Sequence, residues 1–169
     1  SYKRARELSP NVHDSTKVIT TLHLLFSYYA NMAEFDIAGE IMALLEQSYA
    51  ELGEDGSDNA DILGLGYGYL DSLLGRIKSA AENYERVLLK YNTEKHRPIS
   101  LRLGMEIGIY SHGWGGLHLA WLGYPKKAKE HIQAAFPIAE GYHSKLFSKD
   151  ALWYSTWISL ELEDIAAAR

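Results

Sequence analysis

Cysteine is absent from the 169 residues, which excludes disulfides, thiolate metal sites and a cysteine nucleophile. Proline is scarce: Pro10, Pro98, Pro125 and Pro137 are the only four, so few positions forbid a helix. Valine occurs only at Val12, Val18 and Val87, and the alternation that marks strands is missing. No apolar run approaches the ~20 residues a membrane-spanning helix needs. Basic residues are outnumbered, with 17 Lys and Arg against 22 Asp and Glu and a formal charge of -5. A dedicated nucleic-acid surface needs a basic excess to displace counterions. Neither a direct nucleic-acid partner nor a membrane partner is expected.

What remains is an ordinary folding composition, 47% hydrophobic and 23% charged, with apolar residues at helical spacing. Ile19, Leu22, Leu25, Phe26 and Tyr29 recur at three and four, and Ile37, Ile41, Leu44, Leu45 and Tyr49 do so again after a break at residues 33–36. Residues 53–58 read as a turn. Further helices are expected over 61–74, 79–91, 107–122, 125–140 and 148–162, with a polar loop at 92–102 and one more helix opening at the terminus. Pro125 suits a first helical position, whereas Pro137 is expected to kink or end its helix.

The turns repeat. Ala33, Gly75, Gly123 and Glu163 each precede an alanine by five residues: Ala38, Ala80, Ala128 and Ala168, at intervals of 42, 48 and 40. An apolar residue stands just before each turn (Met32, Leu74, Leu122, Leu162). Seven before it come Phe26, Gly68, Gly116 and Thr156. Periods near 40 indicate stacked supersecondary units, since one helix pair cannot bury its apolar face alone. The units are expected at 14–53, 59–91, 107–142 and 148–169, within one helical-repeat domain covering 1–169. The chain opens on Ser1 and closes on Arg169, and is read as a segment of a longer protein.

The stretches ANMAEFDIAGEIMALLEQ, SLLGRIKSAAENYERVLLKY, AWLGYPKKAKEHIQAAFPIAE and LELEDIAAAR resemble the turn and second helix of the tetratricopeptide repeat family. The string HLAWLGYPKKAKEHIQAAFPIAE is similar to the degenerate repeat region that follows the ATPase module in multidomain signalling proteins. Among these are ATPases fused to nucleotide cyclases or kinases, and transcription activators of the maltose-regulon type. The units here are longer than the family's usual repeat, and the first helices lack its typical tryptophan and leucine placement. The resemblance implies an all-α fold, a right-handed superhelical array of antiparallel helix pairs with about seven to eight helices. It implies a cytoplasmic, non-catalytic scaffold that takes a protein, a peptide or another domain of the same chain.

Catalytic and cofactor signals are weak. Gly64, Gly66 and Gly68 imitate a phosphate loop, but no strand precedes them, and close helix packing is the ordinary reason for such glycines. Gly113, Gly115 and Gly116 are read the same way. Among His13, His23, His96, His112, His118, His131 and His143, no two stand three or four apart on a helix. No metal, cofactor or catalytic residue is therefore expected, and His118 is read as a core residue beside Leu117 and Trp121. Lys126, Lys127, Lys129 and the run 95–97 are read as a solvated face or a weak contact for an anionic partner. Carried over from the resemblance, the residues lining a concave surface are His23, Ser27 and Asn31, then Leu65, Tyr69 and Leu73. Tyr110, Leu117 and Trp121 follow, with Trp153 and Trp157 last. A different class of function, a small-molecule or enzyme pocket lined by Tyr69, Trp121 and Trp157, is the alternative. It would require converging polar groups.

Overall fold

A computed structural model of the chain describes residues 15–52 and 62–163. These form helices α1 (Ser15–Asn31), α2 (Phe35–Glu51), α3 (Leu63–Leu73) and α4 (Ile77–Lys90). Four more follow: α5 (Thr93–Leu103), α6 (Ile107–Trp121), α7 (Pro125–Gly141) and α8 (Lys145–Glu161). No strand occurs among the described residues, and none of their helices is long and apolar enough to cross a membrane. The chain divides into two compact units, one within 1–60 carrying α1 and α2, the other within 61–169 carrying α3 to α8. The repeat position at Ala168 lies outside the described residues.

The repeat anchors found in the sequence are where the backbone turns left-handed. Ala33, Gly75, Gly123 and Glu163 have φ of 59°, 72°, 82° and 57°. At each of the first three, two amides close back on the helix just ended. Glu34 N reaches Tyr29 O at 3.0 Å, Arg76 N reaches Asp71 O at 2.8 Å and Tyr124 N reaches Leu119 O at 2.8 Å. The preceding amides bond to Ala30 O, Ser72 O and Ala120 O, completing the Schellman pattern that satisfies orphan carbonyls. The next residue caps the following helix with nearly constant ψ: 65° at Glu34, 60° at Arg76, 64° at Tyr124. Each cap carbonyl accepts the first helical bond from the anchor alanine, Ala38, Ala80 or Ala128, at 2.9, 2.9 and 3.0 Å. All three alanines are fully buried. The sequence spacing thus reports three congruent turns.

In the unit within 61–169, α6 packs against α4, α7 and α8 and touches α3 and α5. Its glycines explain how. A Cβ at Gly116 would stand 2.9 Å from Ile158 Cδ1 and 3.0 Å from His131 Cβ, and one at Gly113 would overlap the ring of Tyr154. Gly64 and Gly68 of α3 likewise lie against Val87 and Tyr84 of α4. The glycines serve close helix approach, and the backbone there is ordinary helix.

One expectation changes. Residues 92–102 are not a polar loop but the start and body of α5: the Asn92 side chain accepts from Lys95 N at 2.9 Å, Gly104 ends the helix at φ 66°, and His96, Ile99 and Ser100 are buried. Pro98 sits inside it, its lost amide bond offset by that burial. Pro137 lies inside α7, which runs to Gly141, close to the helix expected over 125–140. The apolar residues Met32, Leu74 and Leu122 before the turns are exposed, so their recurrence is not a core signal. One buried carboxylate joins the inserted α5 to its surroundings. Glu106 caps α6 through Ile109 N at 2.7 Å, takes the Tyr91 hydroxyl at 2.7 Å and the Tyr142 hydroxyl at 3.3 Å, and lies 3.4 Å from Ser100 Oγ.

Candidate functional site

The concave-face residues expected from the sequence fall into two groups, one per unit. In the unit within 1–60, His23 is buried and its Nε2 lies 2.9 Å from the Tyr49 hydroxyl. Burial pushes its pKa down to about 4, because a charged imidazole loses its hydration there. Ser27 and Asn31 are exposed, yet each bonds to the carbonyl one turn back, His23 O at 3.1 Å and Ser27 O at 2.7 Å. A buried neutral histidine below two locally satisfied polar groups gives a polar wall with no converging chemistry.

In the unit within 61–169 the structure brings most of the named residues together. Leu65 and Leu117 are exceptions: both are buried in core clusters and line no surface. Leu117 is covered because α6 has neighbours on several sides. Apart from Leu73, the others form a connected run of rings. Tyr69 of α3 meets Trp114 of α6 edge-on at 5.7 Å between centroids, and Trp114 meets Trp157 of α8 at 5.8 Å. Trp157 then meets Trp121 at 6.3 Å and Trp153 at 4.9 Å. Tyr110 joins through Tyr154 at 5.7 Å, and Tyr154 also touches Trp114 at 6.0 Å. Trp121 and Trp153 are 44% and 52% exposed, Leu73 is exposed, and Tyr69, Tyr110, Trp114 and Trp157 are half-buried. The Trp157 indole N–H donates to Glu161 at 3.2 Å. Burial and neighbouring acidic groups raise the Tyr110 and Tyr154 phenols above the ordinary value, so both stay neutral.

Trp114 is the ring the sequence reading missed. It touches α3 and α8 alike, and the positions 110, 114, 118 and 121 share one face of α6 at three-and-four spacing. That spacing is the signal that could have found it. His118, on the same face, is fully buried beside Tyr84, Trp114 and Trp121 at 5.6, 5.9 and 5.2 Å. Its Nδ1 stands 2.5 Å from the Trp114 carbonyl and must donate to it. Nε2 in the neutral ring is therefore a bare lone pair, buried and without a hydrogen-bond partner. Burial lowers its pKa, partly opposed by the bond to the Trp114 carbonyl.

A second polar group links three helices. His131 of α7 puts Nε2 2.9 Å from Glu85 Oε1 of α4 and Nδ1 3.3 Å from His112 Nδ1 of α6. The ligand spacing searched for in the sequence lies along one helix, so it could not reveal a pair shared between two. Among the described residues, no group of three or more His, Cys, Asp or Glu side chains converges as a metal site. The basic residues weighed for an anionic partner are dispersed: His96 is buried, Arg97 lies over the Tyr142 ring at 4.4 Å and pairs with Glu94 at 3.2 Å, and Lys127 lies over Tyr124 at 5.8 Å. No protein-family model, no curated protein and no solved structure matches the chain.

Proposed function

We propose that this chain is a non-catalytic interaction module of the tetratricopeptide-like kind, docking a protein segment or a neighbouring domain on an aromatic wall. In this reading the helix pairs are antiparallel, and those within 61–169 stack as a right-handed superhelical array. The observation that carries it is the run of edge-to-face rings from Tyr69 through Trp114 and Trp157 to Trp121 and Trp153, anchored in the core and open at its end. The few residues that dominate binding energy at protein interfaces are enriched in tryptophan and tyrosine. The resemblance to repeat regions of ATPase-linked regulators supports a signalling or transcription-regulating parent, in which docking would be relayed to an output domain.

The test is a displayed peptide library selected on the wild-type protein. Binders are expected to lose at least about 30-fold in affinity on Trp153→Ala or Trp157→Ala, since a hot-spot truncation costs about 2 kcal/mol or more. Undiminished binding by variants with wild-type circular dichroism overturns the assignment. A second reading rests on His118: a buried acceptor among aromatic rings is the converging polar group that a small-molecule pocket requires. It predicts saturable thermal stabilisation by a metabolite that donates a hydrogen bond, lost on His118→Phe, with no effect of peptides.

A further inference from the structure

The contact between His112 and His131 fits a shared ion as well as it fits a hydrogen bond. Their Nδ1 atoms are 3.3 Å apart, at the long end of hydrogen-bond distances. Two imidazole nitrogens bound to one tetrahedral ion at about 2.0–2.1 Å stand about 3.3–3.4 Å apart. The rings cross at 75° with centroids 5.1 Å apart. Glu85 fixes which atom of His131 is available. Its carboxylate, 2.9 Å from Nε2, can only accept, so Nε2 carries the proton and Nδ1 of the neutral ring is a lone pair. A carboxylate behind a histidine is the arrangement that orients metal-binding imidazoles. Space beside Nδ1 exists because residue 115 lacks a side chain: a Cβ on Gly115 would lie 3.4 Å from that nitrogen. Both histidines are only partly buried.

We propose that His112 and His131, backed by Glu85, bind a divalent transition-metal ion of the zinc type through their Nδ1 atoms. Two protein ligands, one fewer than open zinc sites usually have, leave the remaining coordination positions to water or to a donor atom of a docked partner. The site is independent of the aromatic wall and of the function proposed for it.

Zinc(II) alone is the probe. Titrated into the purified chain near pH 7.5, it is expected to bind one to one and to raise the thermal midpoint saturably by several degrees at about a hundredfold excess over its Kd. In the wild-type protein the ring resonances of His112 and His131 are expected to move before those of the other five histidines, a readout that needs no variant. Glu85→Ala is expected to weaken binding about tenfold through loss of the orienting acceptor, and His112→Ala to abolish it. An unchanged midpoint up to millimolar zinc overturns the proposal, leaving the two rings to share a proton only. First movement at other histidines, or full binding by folded His112→Ala, overturns it equally.

Discussion

Gly113 offers a sharp test of how α6 and α8 are packed. A Cβ at this position would lie 2.6 Å from Tyr154 Cδ1 and closer still to Cγ, about 1 Å inside an ordinary carbon–carbon contact. The ring cannot yield easily. Tyr154 is buried and is ringed by Tyr110, Trp114 and Trp153 at centroid distances of 5.7, 6.0 and 4.8 Å. Against this, alanine is favoured over glycine in a helix interior by about 1 kcal/mol. Overpacking of a well-filled core typically costs 1–3 kcal/mol and occasionally more, and an overlap with the rooted end of a ring belongs at or above the top of that range. Gly113→Ala is therefore expected to destabilise by about 2 kcal/mol net, or roughly 5–10 °C in the midpoint of a unit this size. Gly39→Ala in α2 meets nothing within 4 Å, so there only the helical preference acts, and a gain of about 0.5–1 kcal/mol is expected. Tryptophan fluorescence isolates the first effect, since Trp114, Trp121, Trp153 and Trp157 all lie within 61–169; circular dichroism reports the second. Were Gly113→Ala to stabilise the protein as Gly39→Ala does, the close approach of α6 and α8 would be wrong.

Two further effects are expected. His23 has a folded-state pKa of about 4 against an ordinary 6.5, so between these values the unfolded chain binds the extra proton; its contribution, about 3 kcal/mol, is complete above pH 6.5 and disappears as pH falls towards 4. Acid titration followed by circular dichroism checks this, and a His23→Gln variant that keeps the same loss between pH 6.5 and 4 would contradict the assignment. Glu106→Ala should cost about 3 kcal/mol, because the Tyr91 and Tyr142 hydroxyls and the Ile109 amide lose their shared acceptor; urea unfolding measures it, and a cost near zero would mean that water replaces the carboxylate.

The sequence revealed the turns better than the surfaces. An alanine five residues past a turn is legible because a fully buried +5 position tolerates little else, and the left-handed turn residue prefers glycine. Where Ala33 and Glu163 replace glycine, the spacing still marks the site. Helix α5 was hidden because its buried positions are His96 and Ser100 as well as Ile99, so no apolar period shows, and Pro98 argued against a helix. The asparagine before it and Gly104 after it were the usable signals. Exposure at the expected groove positions is decided by neighbours. An offset from the turn assigns a face of a helix, but Leu117 is buried by helices that an offset cannot see. Tyr69, Trp121, Trp153 and Trp157 keep accessible surface because their helices leave that face only partly covered.

If the aromatic run docks a partner as proposed, the burial of part of it bears on how strongly the exposed part binds. An exposed tryptophan that is free to rotate loses side-chain entropy when a partner fixes it, and that loss reduces affinity. Here Trp153 is held edge-on by Tyr154 at 4.8 Å and by Trp157 at 4.9 Å, while Trp121 rests on His118 at 5.2 Å. The exposed rings are thus positioned by buried ones before any ligand arrives. It follows that substitutions beneath the surface should weaken docking without touching a ligand. Trp114→Leu removes the support shared by Tyr69, Tyr154 and Trp157 while keeping an apolar side chain in place. If the rings are preorganised, its loss should appear chiefly as faster dissociation, because contacts on the bound state fail while the encounter surface is unchanged. A Trp114→Leu protein that folds and releases its peptide ligands at the wild-type rate would show that the outer rings do not depend on the inner ones.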